Sequence, residues 1–216
     1  MGSGWSARRY HPSTASGTSV TPLANHPSQI LQLLDDRRSV PSRQLAAPGP
    51  DHSALLRMLR AASRVPDHGK RTPFRFLRIE GDARLSLGER IAARSRARDP
   101  DASDSVIEKD RLRFMFAPTI VTVIARLGPD EKIPEQERLL TTGCVCFALL
   151  QAAQALGFGA QWLTGWVAYD PQIRTLLGIG DDEVVAGFIH IGTAQCEAPE
   201  RERPDPVALL TDWTPE

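Results

Sequence analysis

The chain has few of the residues that build disulfide frameworks, membrane spans or broad polyanion-binding surfaces. It has 216 residues but only three cysteines, an odd and low number that argues against a disulfide framework and fits a reducing cytoplasm. Its 26 basic and 26 acidic residues cancel, so the composition does not predict broad binding to nucleic acid. The most apolar stretch, residues 144–166, is interrupted by glutamines and does not reach the length of a bilayer span. We therefore expect a cytoplasmic protein without nucleic-acid or membrane partners.

Several familiar catalytic and metal-binding motifs are also missing. Gly157 and Gly159 begin like a dinucleotide fingerprint, but Trp162 stands where the third glycine is needed. The sequence contains no P-loop, no H-E-x-x-H motif and no G-x-S-x-G motif. Cys144 and Cys146 are two residues apart in a predicted helix and point about 200° apart, so they cannot share a metal or form a redox pair. We expect both to be small core residues, and we predict no metal site.

Local patterns divide the chain into a leader and one domain of interleaved helices and strands. Residues 1–26 are rich in Ser, Thr, Gly and Pro without an apolar signal region, which predicts a flexible leader before a single domain over 27–216. Strands are predicted at 74–80, 119–125, 157–163 and 184–191, and the longer helices at 82–98, 105–116, 137–156 and 171–177. This interleaving predicts an α+β or mixed α/β layer.

The predicted helix 137–156 is almost uniformly apolar from Gly143 onward. A helix that is apolar all round is buried on all sides. In a chain of this size, a subunit interface is a natural way to cover the side that the monomer core leaves bare. The pattern therefore predicts an oligomer as well as a core helix.

Two interpretations fit Arg37, Arg38 and Ser39, which follow a short apolar helix. The arginines can simply offset the dipole at an exposed helix C-terminus. Alternatively, the arginines offer bidentate donors and Ser39 offers a hydroxyl, a combination that suits a phosphate group. The residues alone leave both interpretations open.

The segment from Arg64 to Phe74 begins where a second helix, capped by Asp51, ends before Pro66. Asp67 and His68 are adjacent, and adjacent side chains rarely face each other, so a catalytic dyad is disfavoured. Taken alone, His68 is more often structural than a ligand contact. Its place in the longer segment is what favours a binding role.

The order and spacing of several short motifs resemble those of the short nitroreductase-like flavoproteins of the bacterial YdjA type. The motifs are Arg-Arg-Ser, Arg-x-Pro-Asp-His, a Gly- and Cys-rich apolar helix ending in Gly-Phe-Gly, Trp-x-x-Gly, and Gly-Phe-x-x-x-Gly-Thr, spread over about residues 29–206. The resemblance implies an α+β nitroreductase-like fold with a central mixed or antiparallel sheet flanked by helices. It also implies a homodimer with FMN at the subunit interface, which passes electrons from NADH or NADPH to nitroaromatic or other oxidised small molecules.

The resemblance assigns eight cofactor-binding residues. The FMN phosphate and ribityl chain would be held by Arg37, Arg38 and Ser39, and the flavin by Arg64 and His68 of one subunit and by Trp162, Leu163 and Thr164 of the other. Because hydride is received at the flavin N5 atom, no catalytic side chain is required.

The chain departs from this family pattern at one position beside the flavin. The family segment usually reads Trp-Arg-Ser-Gly, whereas here Leu163 removes the cation and Thr164 keeps the hydroxyl. Arg43 is a candidate to compensate for the missing charge. No long insertion is present to build a lid, so we expect an open pocket. Two other functions fit the residues: a flavin store or redox sensor with little turnover, and a structural interaction domain without a chromophore.

Overall fold

The computed structural model describes residues 27–215, so the predicted leader lies outside the described residues. Eight α-helices occur in this range: α1 (Pro27–Asp35), α2 (His52–Ala62), α3 (Asp82–Arg98), α4 (Asp104–Leu112), α5 (Glu135–Ala155), α6 (Trp166–Tyr169), α7 (Pro171–Leu176) and α8 (Pro206–Leu209). Five strands occur in the same range: β1 (Leu45–Ala46), β2 (Phe74–Glu80), β3 (Thr119–Arg126), β4 (Gly159–Leu163) and β5 (Glu183–Ala194).

The strands form one antiparallel sheet with β3 and β5 at its centre. β3 pairs with β2 on one side and β5 on the other, and the long β5 also pairs with β4 and, near its end, with β1. The prediction that the β-branched segment 119–125 is a central strand is confirmed, since Thr119 to Ala125 are all buried. The expected mixed or antiparallel sheet is antiparallel at every recorded pairing among the described residues.

The two faces of the sheet carry separate apolar cores. Side chains alternate between the faces along each strand, so Phe188 packs on one face while Ile189 and Ile191 pack on the other. The first core is covered by α3, α6 and the segment after α4, and the second by α2 and α5. Because of this division, side chains on the two faces of β4 meet different surroundings, one on each face of the sheet.

The predicted bounds of helices and strands agree best with the structure where the sequence signal comes from neighbouring residues. β2 and α3 have the predicted bounds, and Asp51 caps α2 by accepting a hydrogen bond from the Ala54 amide at 2.7 Å. The helix predicted at 105–116 instead ends at Leu112. Phe114 then turns fully into the core and packs edge-to-face on Phe188, with ring centroids 5.0 Å apart. Burial of this one ring outweighs continuation of the helix.

α5 agrees with one expectation and corrects another. The core of the single chain leaves one side of the helix bare, since Leu139, Leu140 and Phe147 are 41%, 63% and 44% exposed, and burial of that side by a second subunit stays a prediction. Cys146 is a core residue, as predicted, and burial raises the pKa of its thiol to about 12. Cys144 is exposed, so its prediction as a core residue is wrong. The reason is the 200° separation itself, since a helix packed on one side of the sheet cannot bury both positions.

Within residues 27–215, no helix combines the length and the apolar character needed to cross a bilayer.

Candidate functional site

The first group of candidate residues lies where α1 ends. Arg37 donates from Nη1 to the Ser39 hydroxyl at 3.2 Å, and Arg38 donates to the Asp35 carbonyl at 2.6 Å. The Arg38 contact satisfies a carbonyl at the C-terminus of the helix, as the dipole interpretation expects. Arg37 makes no such bond to the helix, and its guanidinium is held beside Ser39 instead.

Two arginines of the C-terminal segment join this group. Arg203 donates to the Arg37 carbonyl at 3.5 Å, and Glu200 forms an ion pair with Arg38. Burial lowers the pKa of Arg37, and the charges of Arg203, Arg38 and Arg201 lower it further. We call Arg37, Arg38, Arg201 and Arg203 the arginine cluster. Three of its members, Arg37, Arg38 and Arg203, line an open cleft of about 500 Å³ together with Leu34, Asp35 and Glu200.

Sequence reasoning missed Arg201 and Arg203. The available signal was the Glu-Arg-Glu-Arg run at 200–203. Nothing in the sequence connects that run to α1, because the two segments are more than 160 residues apart. The fold brings them together.

The segment after α2 is a tight loop that orients Asp67 and His68 differently. The Asp67 carboxylate accepts hydrogen bonds from the Arg71 and Thr72 amides at 3.1 and 2.7 Å. His68 instead contacts Glu137 of α5, with 2.6 Å between Nδ1 and Oε2. Asp67 therefore serves its own loop, and the two side chains do not form a dyad. Arg64 is exposed and extends from the end of α2.

Residues 162–165 present their side chains to both faces of the sheet. Trp162 lies against Gly187 of β5 and donates from Nε1 to the Ala186 carbonyl at 3.0 Å. A side chain at position 187 would collide with the indole, so this position requires glycine. Leu163 projects to the opposite face, and Gly165 turns the chain with a φ of 86°.

Leu163 lines a cavity of about 610 Å³ between β4 and α4. We call it the β4–α4 cavity. Its wall includes Arg43, Lys109, Leu112, Arg113, Phe116 and Leu163. The hypothesis that Arg43 compensates for Leu163 gains support from this arrangement, because both side chains face the same space.

A short extended segment connects the arginine cluster to this cavity. The Val40 amide donates to the Ala160 carbonyl at 3.0 Å, and the Ser42 amide donates to the Gln161 side chain at 2.6 Å. Residues 40–42 therefore run beside β4. Arg37 lies at one end of this path along β4 and Leu163 at the other, so residues 40–42 connect the arginine cluster to the wall of the β4–α4 cavity.

His190 is a buried polar residue that sequence reasoning also missed. It is 1% exposed on β5, and neither ring nitrogen has a hydrogen-bond partner among the described residues. Burial, assisted by the nearby charge of Arg113, lowers the pKa of His190 to about 4. Its strand neighbour is Gln161, which lines the β4–α4 cavity, so His190 lies behind the wall of that cavity.

Within one chain, the eight predicted residues form separate groups. Arg37, Arg38 and Ser39 are together, and Trp162 to Thr164 are contiguous, but no recorded hydrogen bond or ion pair among residues 27–215 joins Arg64 or His68 to either group. In the same range, no cluster of three or more His, Cys, Asp or Glu side chains is placed to hold a metal ion.

Comparison with known proteins gives a consistent family assignment. Residues 34–193 match the sequence signature of the nitroreductase family. YdjA of Escherichia coli (strain K12), named as a candidate NAD(P)H nitroreductase, is 35% identical over 182 residues, which cover 84% of this chain and 97% of YdjA. A candidate NAD(P)H nitroreductase of Haemophilus influenzae is 32% identical over 173 residues, covering 80% of this chain and 91% of that protein.

Solved structures share the fold. A nitroreductase-like family protein from Bacillus cereus superposes with a TM-score of 0.71 at 23% identity, covering 86% of this chain and 95% of the other. A nitroreductase with bound FMN from Bacteroides fragilis gives a TM-score of 0.64 at 22% identity, with coverage of 86% and 99%.

Proposed function

The chain belongs to the nitroreductase family, and from that premise we propose that it is an FMN-dependent NAD(P)H oxidoreductase acting on nitroaromatic or other oxidised small molecules. The observation that carries the proposal is the position of the arginine cluster and the β4–α4 cavity on either side of residues 40–42, which run beside β4. The first region is cationic and the second is largely apolar, as the phosphate and the ring of FMN require.

The arginine cluster suits the FMN phosphate. Burial is the largest cause of the lowered pKa of Arg37, and the charges of Arg203, Arg38 and Arg201 lower it further, while Glu200 pairs with Arg38 and Arg203. A phosphate carries nearly two negative charges and accepts bidentate donors from arginine. Its arrival would relieve the repulsion within the cluster, which favours binding beyond the hydrogen bonds themselves. Ser39 adds a hydroxyl within reach of Arg37.

The flavin ring would lie toward Leu163 and Thr164. A strand advances about 3.3 Å per residue, so the path from Ala160 to Leu163 is about 10 Å long. When bound, FMN accepts a hydride at N5 from NAD(P)H and passes two electrons to an acceptor such as a nitro group, which with two protons becomes a nitroso group and water. The protein's residues bind and orient both partners, and no side chain is assigned a proton-transfer role.

A homodimer would complete the site. His68 is held at the start of α5 by Glu137, and Arg64 lies exposed after the end of α2, away from the recorded contacts of the other candidate residues. The exposed apolar side chains Leu139, Leu140 and Phe147 of α5 support burial against a second copy. We propose that the partner's α2–β2 loop brings Arg64 and His68 to the flavin. Leu140→Glu should then yield a monomer by sedimentation, with weaker FMN binding, whereas the exposed Leu85→Glu on α3 should leave the dimer unchanged.

A cytoplasmic setting is part of the proposal. All three cysteines are free thiols, which suits a reducing compartment, where disulfides are rare. Fractionation of cells that produce the full chain would test this setting.

The test of the function is the visible absorption spectrum of the purified protein with added FMN, followed by anaerobic NADPH and NADH. Bound-flavin bands that bleach rapidly in stopped flow, with reoxidation by a nitroaromatic acceptor, are expected. Bound flavin that is reduced slowly or not at all would favour a flavin store or sensor. A protein that does not take up FMN would overturn the proposal and leave an interaction domain.

A further inference from the structure

The β4–α4 cavity is apolar in most of its wall but contains one firmly held arginine. Leu112, Phe116 and Leu163 supply the apolar surface. Arg113 lines the same space with a side chain that is 23% exposed. A cavity of about 610 Å³ is large enough for a small aromatic molecule.

Arg113 is fixed from behind by a buried carboxylate. Its Nη2 atom donates to Asp110 Oδ1 at 3.0 Å. Asp110 is 6% exposed and also accepts hydrogen bonds from Ser95 Oγ at 2.7 Å and from Trp166 Nε1 at 3.1 Å. Burial alone would raise the pKa of Asp110, but the bonds from Ser95, Arg113 and Trp166 outweigh it and lower the pKa. The carboxylate stays ionised and keeps the guanidinium in place.

The guanidinium retains one unused donor. Its Nη1 atom has no recorded hydrogen-bond partner among residues 27–215, whereas its Nε atom is buried and out of reach of a ligand. Its Nη1 atom lies 3.0 Å from the point where a Cβ atom would stand on Gly165, so glycine leaves room for it beside residues 162–165. His190 is close by but remains neutral at physiological pH. Arg113 is therefore a positioned donor with hydrogen-bonding capacity to spare.

The surrounding charges favour an anion. Glu108 is paired with Arg111, with 2.6 Å between Oε2 and Nε, and Asp110 is paired with Arg113. Arg43 and Lys109 line the same cavity, and neither has a recorded ion pair or side-chain hydrogen bond among residues 27–215. After the two ion pairs cancel, the cavity carries the two positive charges of Arg43 and Lys109.

We propose that the β4–α4 cavity selects electron acceptors that carry a carboxylate on an aromatic ring, with Arg113 as the acceptor-binding residue and with Arg43 and Lys109 attracting the charge. The proposal rests on the oxidoreductase function proposed above, because it names the class of acceptor that the flavin would reduce. With the flavin against Leu163 at one side of the cavity, the apolar wall of Leu112 and Phe116 takes the acceptor ring, and the Nη1 donor of Arg113 takes the carboxylate. A hydrogen bond between two charged groups supplies more selectivity than apolar contact alone.

The test uses two acceptors of nearly equal size, 4-nitrobenzoate and 4-nitrobenzamide, with the FMN-loaded protein. The kcat/KM for the benzoate should exceed that for the benzamide by about tenfold or more, the effect of one charge-assisted hydrogen bond. Raising the salt concentration should reduce this ratio, because Arg43 and Lys109 act through screened charge. A ratio near one at low salt would overturn the proposal.

Variants identify the residues that produce the preference for the benzoate. Arg113→Gln should lower the ratio about tenfold, and the double variant R43Q/K109Q should lower it about threefold, as expected for exposed charges. Arg90→Gln on α3, an exposed arginine that lines a different cavity, is the matched control and should not change the ratio. If Arg113→Gln does not fold, the double variant decides, and an unchanged ratio in it would overturn the proposal.

A binding measurement separates this proposal from the proposed function. Calorimetry with benzoate and benzamide, which carry no nitro group to be reduced, measures the cavity directly. Tighter binding of benzoate, lost in Arg113→Gln, supports the proposal whatever the turnover. Equal binding of the two compounds overturns it. Failure to bind FMN or to reduce 4-nitrobenzamide would count against the oxidoreductase function alone.

Discussion

Arg37 and Arg113 stand at opposite ends of the path along β4 and are held in opposite ways. Arg37 has three arginines for neighbours, and their charges together with burial lower its pKa. Arg113 is bonded to the buried carboxylate of Asp110, which is itself satisfied by Ser95 and Trp166. Like charges surround the first guanidinium, whereas opposite charge and hydrogen bonds surround the second.

The difference separates a site that needs its ligand from a site that is part of the fold. Glu200 offsets part of the repulsion among the arginines through its ion pairs with Arg38 and Arg203, and the phosphate of FMN, bound as proposed, would remove more of it. The Asp110–Arg113 pair contributes to the core even without a ligand. Replacing residues at the first site should therefore change affinity, and replacing the support of the second should change stability.

The largest effect is expected from Asp110→Asn. The substitution leaves the partly buried Arg113 without its counter-charge and offers donors where Ser95 and Trp166 also donate, so we expect a loss of about 3–5 kcal/mol in the free energy of unfolding. Urea denaturation measures this loss. Asp104→Asn on the exposed end of α4 is the control, with an expected change below about 1 kcal/mol. Equal changes in the two variants would remove the distinction drawn between the two arginines.

His190 gives the region around Arg113 a characteristic pH dependence. Its pKa in the folded protein is about 4, below the ordinary 6.5, because burial and the charge of Arg113 disfavour protonation. The unfolded chain therefore binds a proton first as the pH falls. Stability is full above about pH 6.5 and declines toward pH 4, by about 2–3 kcal/mol in total.

Denaturation curves at several pH values test this decline. His190→Leu should flatten the dependence between pH 6.5 and 4.5, whereas the exposed His52→Gln should not. Carboxylates such as Glu183, whose pKa is lowered to about 2 by its hydrogen bond with Arg75, lose their contribution only at lower pH. A wild-type slope that survives in His190→Leu would show that other groups produce it.

The fold could be predicted from sequence where its causes are local. β2 and α3 had the correct bounds because strand periodicity, the Gly81 turn and helical periodicity lie within a few residues of one another. α4 was predicted too long, because the early turn into Phe114 depends on Phe188, far along the chain. Cys144 was misplaced because hydrophobicity does not show which side of a helix meets the sheet.

The residues of the candidate site also divide into those that a local sequence pattern predicts and those that depend on distant parts of the chain. Arg37 and Ser39 were predicted from the Arg-Arg-Ser motif. Leu163 was predicted from the position where the chain departs from the family's Trp-Arg-Ser-Gly segment. Arg203, Arg113 and His190 were missed because their significance depends on partners distant in sequence: Arg203 on Arg37, Arg113 on Gly165, and His190 on the wall of a cavity. No local pattern distinguishes these three residues from ordinary charged or core positions.

Arg37→Ala tests the comparison of Arg37 with Arg113 through the affinity for FMN. Losing a charged donor to the phosphate should weaken FMN binding by about 1–3 kcal/mol, measured by fluorescence titration of the flavin. The FMN-free protein should become slightly more stable at low salt, because the repulsion between Arg37 and its neighbouring arginines is removed, in contrast to the loss expected for Asp110→Asn. Arg60→Ala, an exposed arginine on α2, is the control. Unchanged FMN affinity in Arg37→Ala would contradict the assignment of Arg37 to the phosphate.

The smallest effect is expected from Arg203→Ala, and its direction is informative. Arg203 is exposed and contributes charge to the cluster at longer range, so FMN affinity should fall only about twofold to fivefold. The same change removes a positive charge from beside Arg37, so the FMN-free protein should become slightly more stable, by a few tenths of a kcal/mol at low salt. A fall in FMN affinity together with a rise in the stability of the FMN-free protein is expected where like charges repel each other until an anion binds. A decrease in both FMN affinity and stability would mean that Arg203 stabilises the fold, as Arg113 does through its ion pair with Asp110.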